Sequence, residues 1–235
     1  MKTLVVVAHP DDETLWFSPV LADADLIVVA FPRHPFKEEI NRGREAVWRE
    51  FGLPIELLHV HTAPVLRKSD WANPKLTTYG VELLDSCPPD VRSQYIGNYD
   101  RLLAALDRYV AESEQIYSHN PWGEYGHEAH IQVWSVVSRL AREHGRTLWV
   151  WDGLANEELL ERGSRVRLEY FTPLPEGLGF QDLEPDLELY QRLKQLYEKN
   201  AVWTFRADYV PPDRLRYLEA VRLGSQMLAA SSADS

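Results

Sequence analysis

At 235 residues the chain is long enough for one domain with a buried core, given about 100–200 residues per domain. Its 45% hydrophobic and 26% charged residues exclude disordered, collagenous and coiled-coil classes. A formal net charge of −11 repels phosphate backbones and anionic lipid heads, so nucleic acid is not an expected partner.

The first apolar run, Leu4–Ala8, follows a single Lys2 and is too short for a signal peptide or a membrane span; it reads as a buried strand. Leu26–Phe31 and Pro54–Val60 supply two more strands. Between them Glu38–Phe51 spaces Ile40, Val47 and Phe51 for one helical face. Strand, helix and strand in this rhythm predict a parallel sheet with crossover helices. Residues 62–97 break it with Pro64, Pro74, Pro88 and Pro89 and with Trp71, Tyr79 and Tyr95, and read as a functional loop or cap. Asp100–Ser113 is helical through Leu102, Leu103, Leu106, Tyr109 and Val110. Ile116–Ser118 is a strand, and His127–Glu143 a helix with Ile131, Trp134, Val137, Leu140 and Ala141 on one side. Leu148–Trp151 and Val166–Phe171 read as strands, Pro173–Pro185 as a linker, Asp186–Lys199 and Pro212–Leu223 as helices, and the Ala/Ser tail after Met227 as a disordered end. The expected class is α/β: a three-layer, Rossmann-like, mostly parallel sheet flanked by helices, without a dinucleotide site because no Gly-x-Gly-x-x-Gly follows the first strand. A lone Cys87 cannot form an internal disulfide and fits a reducing, cytoplasmic setting.

In an open parallel sheet, ligands bind beyond the carboxyl ends of the strands. The first strand ends in His9-Pro10-Asp11-Asp12-Glu13. Successive carboxylates point different ways, so His9 and Asp12 could converge on one metal while Asp11 faces a bound water. The plainer alternative is an acidic cap for the following helix. A later strand runs into His119-Asn120-Pro121-Trp122-Gly123-Glu124-Tyr125-Gly126-His127-Glu128-Ala129-His130. His127 and His130, three residues apart at a helix start, share a side, so one could ligate while the other addresses substrate. His9, Asp12 and His130 together make a two-His-one-carboxylate set with an open position, the pattern of a catalytic zinc, although another divalent metal would also suit it. Asp11 beside it could act as general base. Trp122, Glu124 and His119 are the local candidates for substrate contact, against the alternatives of packing for Trp122 and helix capping for Glu124. Arg42, Arg44 and Glu45 read as a solvated charged face. The C-terminal third carries no recognisable chemistry.

The string Ala8-His9-Pro10-Asp11-Asp12-Glu13 after an N-terminal strand, with a later Tyr125-Gly126-His127-x-x-His130, resembles the PIG-L/LmbE-type zinc N-deacetylases. The resemblance covers much of residues 1–145 and implies a Rossmann-like fold without a nucleotide cofactor, one domain spanning 1–235 with 166–235 as its extension. It implies zinc on His9, Asp12 and His130, Asp11 as base, and His127 and Tyr125 as stabilisers of the oxyanion or proton donors to the leaving amine. The implied substrate is a small N-acetylated, glucosamine-like sugar or conjugate. The alternatives are a non-sugar N-acyl metabolite or, from a different class, a silent binding module. Three features depart from the family pattern: Phe17-Ser18-Pro19 after the acidic string, Pro32-Arg33-His34-Pro35 after the second strand, and Ala129 where a supporting Asp is usual in the His-Pro-Asp-His motif.

Overall fold

The structure, a computed structural model, describes residues 2–71, 75–153 and 179–220. In chain order the elements are β1 (Thr3–Val7), α1 (Asp12–Trp16), β2 (Leu26–Val29), α2 (Glu38–Glu50), β3 (Ile55–Leu57), β4 (Leu76–Thr77), β5 (Gly80–Val81), α3 (Pro89–Ala111), β6 (Gln115–Ser118), the irregular turn α4 (Gly123–Gly126), α5 (Glu128–Glu143), β7 (Thr147–Trp151), β8 (Phe180–Leu183), α6 (Leu187–Lys199) and β9 (Leu215–Glu219). A seven-stranded sheet runs β3-β2-β1-β6-β7-β9-β8. The first five strands are mutually parallel, and β9 and β8 join antiparallel.

Alternation along β1 explains the layers. Leu4 and Val6 face one side with α3 (Leu102, Leu106, Val110) and α5 (Val133, Val136, Val137, Leu140). Val5 and Val7 face the other with α1 (Leu15, Trp16), α2 (Val47) and α6 (Leu193, Leu196, Tyr197). Both faces of β1 are therefore covered, as a parallel strand requires. The chain steps from β1 out to β2 and β3, then crosses to β6 and β7 on the other side of β1. That reversal opens a crevice beyond the carboxyl ends of β1 and β6, where ligands bind in such sheets. It is where both His-rich strings of the sequence begin.

Three expectations are corrected. Residues 62–97 are not one long loop. They carry the β4–β5 pair and an isolated Ser69–Leu83 bridge, and Ala63, Val65, Val81, Leu83 and Cys87 pack on Tyr95 and Ile131. Within that stretch α3 begins at Pro89, eleven residues before the predicted Asp100; proline ends a helix from inside but suits its first position, where the missing N–H has no partner to lose. Pro212–Leu223 is not helical where described, because Leu215–Glu219 forms β9. There Leu215 and Tyr217 are buried, the intervening Arg216 is exposed, and β7 offers a free edge. The predicted linker Pro173–Pro185 contains β8, which pairs with β9. The predicted strand Val166–Phe171 and the tail after Met227 lie outside the described residues.

Candidate active site

β1 delivers His9 to the crevice, and a left-handed Asp11 (φ 85°) turns the chain into α1. Such a backbone conformation is costly for a residue with a Cβ and tends to mark functional sites. Asp11 occupies the N-cap position yet its side chain caps nothing, so the plain capping alternative does not describe it. Asp12 accepts from the His9 backbone N–H at 2.7 Å, which folds its carboxylate back beside the imidazole.

Three ligand-type atoms now meet. His9 Nδ1 lies 3.3 Å from His130 Nε2 and 3.5 Å from Asp12 Oδ2, and His130 Nε2 lies 3.3 Å from the same oxygen. Bonds of about 2.0–2.1 Å in tetrahedral array put ligand atoms about 3.4 Å apart, so the triangle fits a divalent metal. Two other imidazoles crowd the same spot. Each has its lone pair engaged: His119 Nε2 accepts the Ala8 N–H at 2.8 Å, and His127 Nδ1 accepts the Ala129 N–H at 3.2 Å as the N-cap of α5. Ring nitrogens that accept backbone N–H groups are poor ligands, and the remaining His127 nitrogen, Nε2, is left as an N–H donor.

The two adjacent carboxylates are driven apart. Burial would raise Asp12, but the imidazoles of His130, His119 and His9 hold it well below the ordinary carboxylate range. Burial, with the Asp12 charge added, pushes Asp11 well above that range, against two hydrogen bonds from Thr204. One carboxylate is thereby favoured as an anion and its neighbour given the higher proton affinity, and environments that push two such groups apart are what acid and base roles require. Burial draws His9 down to about 4, against the pull of Asp12, so its imidazole is neutral near pH 7. Burial, then the neighbouring His130 and His9, lowers His127 well below its usual value. Burial and the nearby carboxylates hold Tyr125 well above 10, as a phenol. Its ring centre lies 5.8 Å from that of His130 and 5.9 Å from that of His127, and its hydroxyl makes no hydrogen bond among the described residues.

His9, Asp11, Asp12, Tyr125, His127 and His130 thus come together. His119, Trp122 and Glu124, expected as substrate contacts, are at most 2% exposed and are engaged within the protein. Trp122 packs in the core under α5. Glu124, at a left-handed φ of 60°, takes both His119 Nδ1 (3.0 Å) and His130 Nδ1 (2.5 Å) on one oxygen, Oε2. Burial would raise this carboxyl, but the two imidazoles bring it down to about 2. A carboxylate on the far nitrogen orients a histidine ligand and raises its basicity, so Glu124 performs the support that Ala129 cannot. Glu128 does something else: its Oε1 accepts from Lys68 N, Ser69 N, Ser69 Oγ and Trp71 Nε1. It ties the 62–71 segment over the start of α5. There Gly126, at φ 98°, backs onto the Trp71 ring so closely that a Cβ would sit 3.2 Å from it.

Arg44 is also corrected, being only 6% exposed, with Nη1 on the Pro32 carbonyl rather than on a solvated face. Thr204 and Tyr197 were not anticipated. Thr204 N and Oγ1 donate to Asp11 Oδ2 at 2.8 and 2.7 Å. Tyr197 donates to Glu13 Oε1 at 2.7 Å, and Glu13 Oε2 accepts the Asp11 N–H. No motif surrounds either residue.

The chain is 26% identical over 201 residues to the 1D-myo-inositol 2-acetamido-2-deoxy-alpha-D-glucopyranoside deacetylase of Corynebacterium glutamicum strain R, covering 77% of this chain and 64% of that protein. No protein-family model matches it. Among solved structures it is similar to a deacetylase of teicoplanin biosynthesis in complex with teicoplanin (TM-score 0.56, 14% identity, 93% of this chain and 98% of that one). It is also similar to the zinc-inhibited form of teicoplanin deacetylase (TM-score 0.54, 14% identity, 93% and 97%). The chain shares the fold of these deacetylase structures, and it spans less than two thirds of the length of the Corynebacterium deacetylase it resembles in sequence. The crevice beyond β1 and β6 holds the candidate His/Asp metal site, where ligand-type atoms of His9, His127 and His130, and of Asp12, His119 and His130, come together. No helix among the described residues is long and apolar enough to cross a membrane.

Proposed function

We propose that this chain is a zinc-dependent N-deacetylase acting on an N-acetylated, glucosamine-like sugar or conjugate. The observation that carries the reading is the triangle of His9 Nδ1, Asp12 Oδ2 and His130 Nε2, 3.3–3.5 Å apart, next to a second buried carboxylate of opposite proton affinity. The relatives support the substrate class: one is named for an acetamido-deoxyglucoside and the solved ones for teicoplanin.

His9, Asp12 and His130 would hold the metal, which when bound supplies Lewis-acid polarisation of the amide carbonyl and a water of lowered pKa. Asp11 takes the proton of the attacking water. As the carbonyl oxygen gains charge, the Tyr125 hydroxyl and His127 Nε2–H donate to it, two neutral donors in a site shielded from water, where such donors act most strongly. The His127 Nδ1 lone pair is committed to the Ala129 amide, so Asp11 returns its proton to the departing amine.

The test is free-amine release from acetamido sugars, their conjugates and non-sugar amides, with one equivalent of zinc and again after chelation. Stoichiometric zinc is specified because a related deacetylase has a zinc-inhibited form. Chelator-sensitive release from a sugar is expected. Asp11→Asn should lower turnover by about 10²–10⁴-fold with zinc still bound, the usual contribution of a positioned base. Zinc bound without release from any acetamido sugar would overturn the sugar assignment and leave the non-sugar amides to be ranked.

A further inference from the structure

The segment after α6 does more than close the fold. Helix α6 ends in a paired turn in which Val202 N bonds Tyr197 O and Ala201 N bonds Glu198 O, with Ala201 in the left-handed region at φ 55°. Glycine is the usual occupant of that position, so the turn is held by its surroundings. Val202 is buried against the α2 side of the sheet. Trp203 meets Tyr190 edge-on and Tyr197 at a tilt, and Phe205 meets Trp16. Thr204, flanked by these anchors, is left with one place to go. Both its N–H and its hydroxyl donate to the same oxygen of Asp11, across 193 residues of sequence.

We propose that Thr204 is a positioning residue for the reaction described above: its two donors fix the rotation of the Asp11 carboxylate, committing Oδ2 and leaving Oδ1 as the oxygen that exchanges the proton. The inference rests on that reading of Asp11 as the base. A carboxylate free to rotate would present either oxygen, and small losses of alignment at a reacting centre are expensive in rate. The backbone of Asp11 is pinned in parallel, because its N–H bonds Glu13 Oε2 while Tyr197 of α6 bonds Glu13 Oε1. Main chain and side chain of the base are therefore both referenced to α6 and its exit.

The experiment compares Thr204→Val, which removes the hydroxyl donor and keeps the N–H, with Thr204→Ser, which restores it. With a substrate that the wild-type protein turns over, Thr204→Val should lose about tenfold or more in kcat, the worth of one hydrogen bond to a charged group. KM and bound zinc should stay unchanged, and Thr204→Ser should recover most of the loss. Crystal structures of both variants provide a readout that needs no substrate: one Asp11 orientation is expected with Ser and a rotated or split carboxylate with Val. Wild-type kcat together with an unmoved Asp11 in Thr204→Val would overturn the proposal. Equal losses in Val and Ser would also do so, by showing a packing role. If the wild type releases no amine from any amide, the functional reading fails by itself and the Asp11 orientation still decides the role of Thr204.

Discussion

The end of β1 and the exit of α6 meet at Asp11, and they arrive there by opposite constructions. β1 is central, covered on both faces, and paired to parallel strands on each side; whatever follows it is placed by the sheet itself. His9, Asp11 and Asp12 are therefore close both in sequence and in space. The exit of α6 has no strand to set it. It is located by side chains: Val202 and Phe205 lodge among residues distant in sequence, and Trp203 packs on Tyr190 and Tyr197 of the helix itself. The strand end supplies the groups proposed to react, and the helix exit the contacts proposed to aim them. The comparison teaches that a left-handed, buried carboxylate such as Asp11 is held by restraints from both sides, which can be loosened separately.

Among the groups that only support the site, the largest expected effect lies at the metal corner, on α4. Glu124→Gln keeps the shape but removes the charge that one oxygen offers to His119 and His130 together. Zinc affinity, measured by competition with a chromophoric chelator, should fall about 10–100-fold, as for other groups that support a histidine ligand. Thr204→Val should leave that affinity unchanged. Should Glu124→Gln bind zinc as tightly as wild type, the metal corner would need no support from α4, and the division of labour would fail there.

The convergence of the proposed site was legible in the sequence because local order constrains it. Ala8-His9-Pro10-Asp11-Asp12-Glu13 sits at a strand end, and His127 and His130 are one helical turn apart, so type and spacing pointed to one shared crevice before any contact was known. The strands β1, β2, β3, β6 and β7 were legible for the same reason, each being a short apolar run between breakers. The supports were not. Glu124 was seen, but at a polar turn a carboxylate reads equally as cap, substrate contact or ligand support; only the approach of His130 Nδ1 decides. Thr204 and Tyr197 lie in ordinary helical and loop sequence, and their partners are 193 and 184 residues away. β8 and β9 were missed because strands of four and five residues near prolines give little period to read, while the edges that recruit them, β7 for β9 and β9 for β8, are tertiary facts. Arg44 looked solvated because charge predicts exposure on average and says nothing of the Pro32 carbonyl it meets.

A smaller effect should follow from moving the helix exit as a body. Gly43 on α2 lies against the turn: a Cβ there would sit 2.5 Å from Val202 Cγ1 and 2.6 Å from the Asn200 carbonyl oxygen. The second contact is backbone, so Gly43→Ala must push α2 and the turn apart. Overpacking of this kind costs about 1–3 kcal/mol, which denaturant titration would register. Because Thr204 is only two residues beyond Val202, turnover should fall with stability while zinc affinity, set by β1, α4 and α5, is retained. Lost stability with unchanged turnover would mean that Asp11 does not follow the turn.

The smallest effect should come from the opposite end of the same helix. Asp186 is the N-cap of α6, its Oδ1 accepting the Leu189 N–H at 2.9 Å. Replacing such a cap by alanine costs about 0.5–2 kcal/mol, through fraying of the first turn. That turn touches the exit through Tyr190 against Trp203, and Tyr190 is held independently by its hydroxyl on the Tyr209 carbonyl and by burial with Leu193 and Leu196. Asp186→Ala should therefore lower the denaturation midpoint modestly with kcat, KM and zinc affinity at wild-type values. A loss of turnover in Asp186→Ala as large as that in Thr204→Val would show that α6 transmits strain along its whole length. The aim of Asp11 would then depend on helix stability in general, and not on the two hydrogen bonds from its exit.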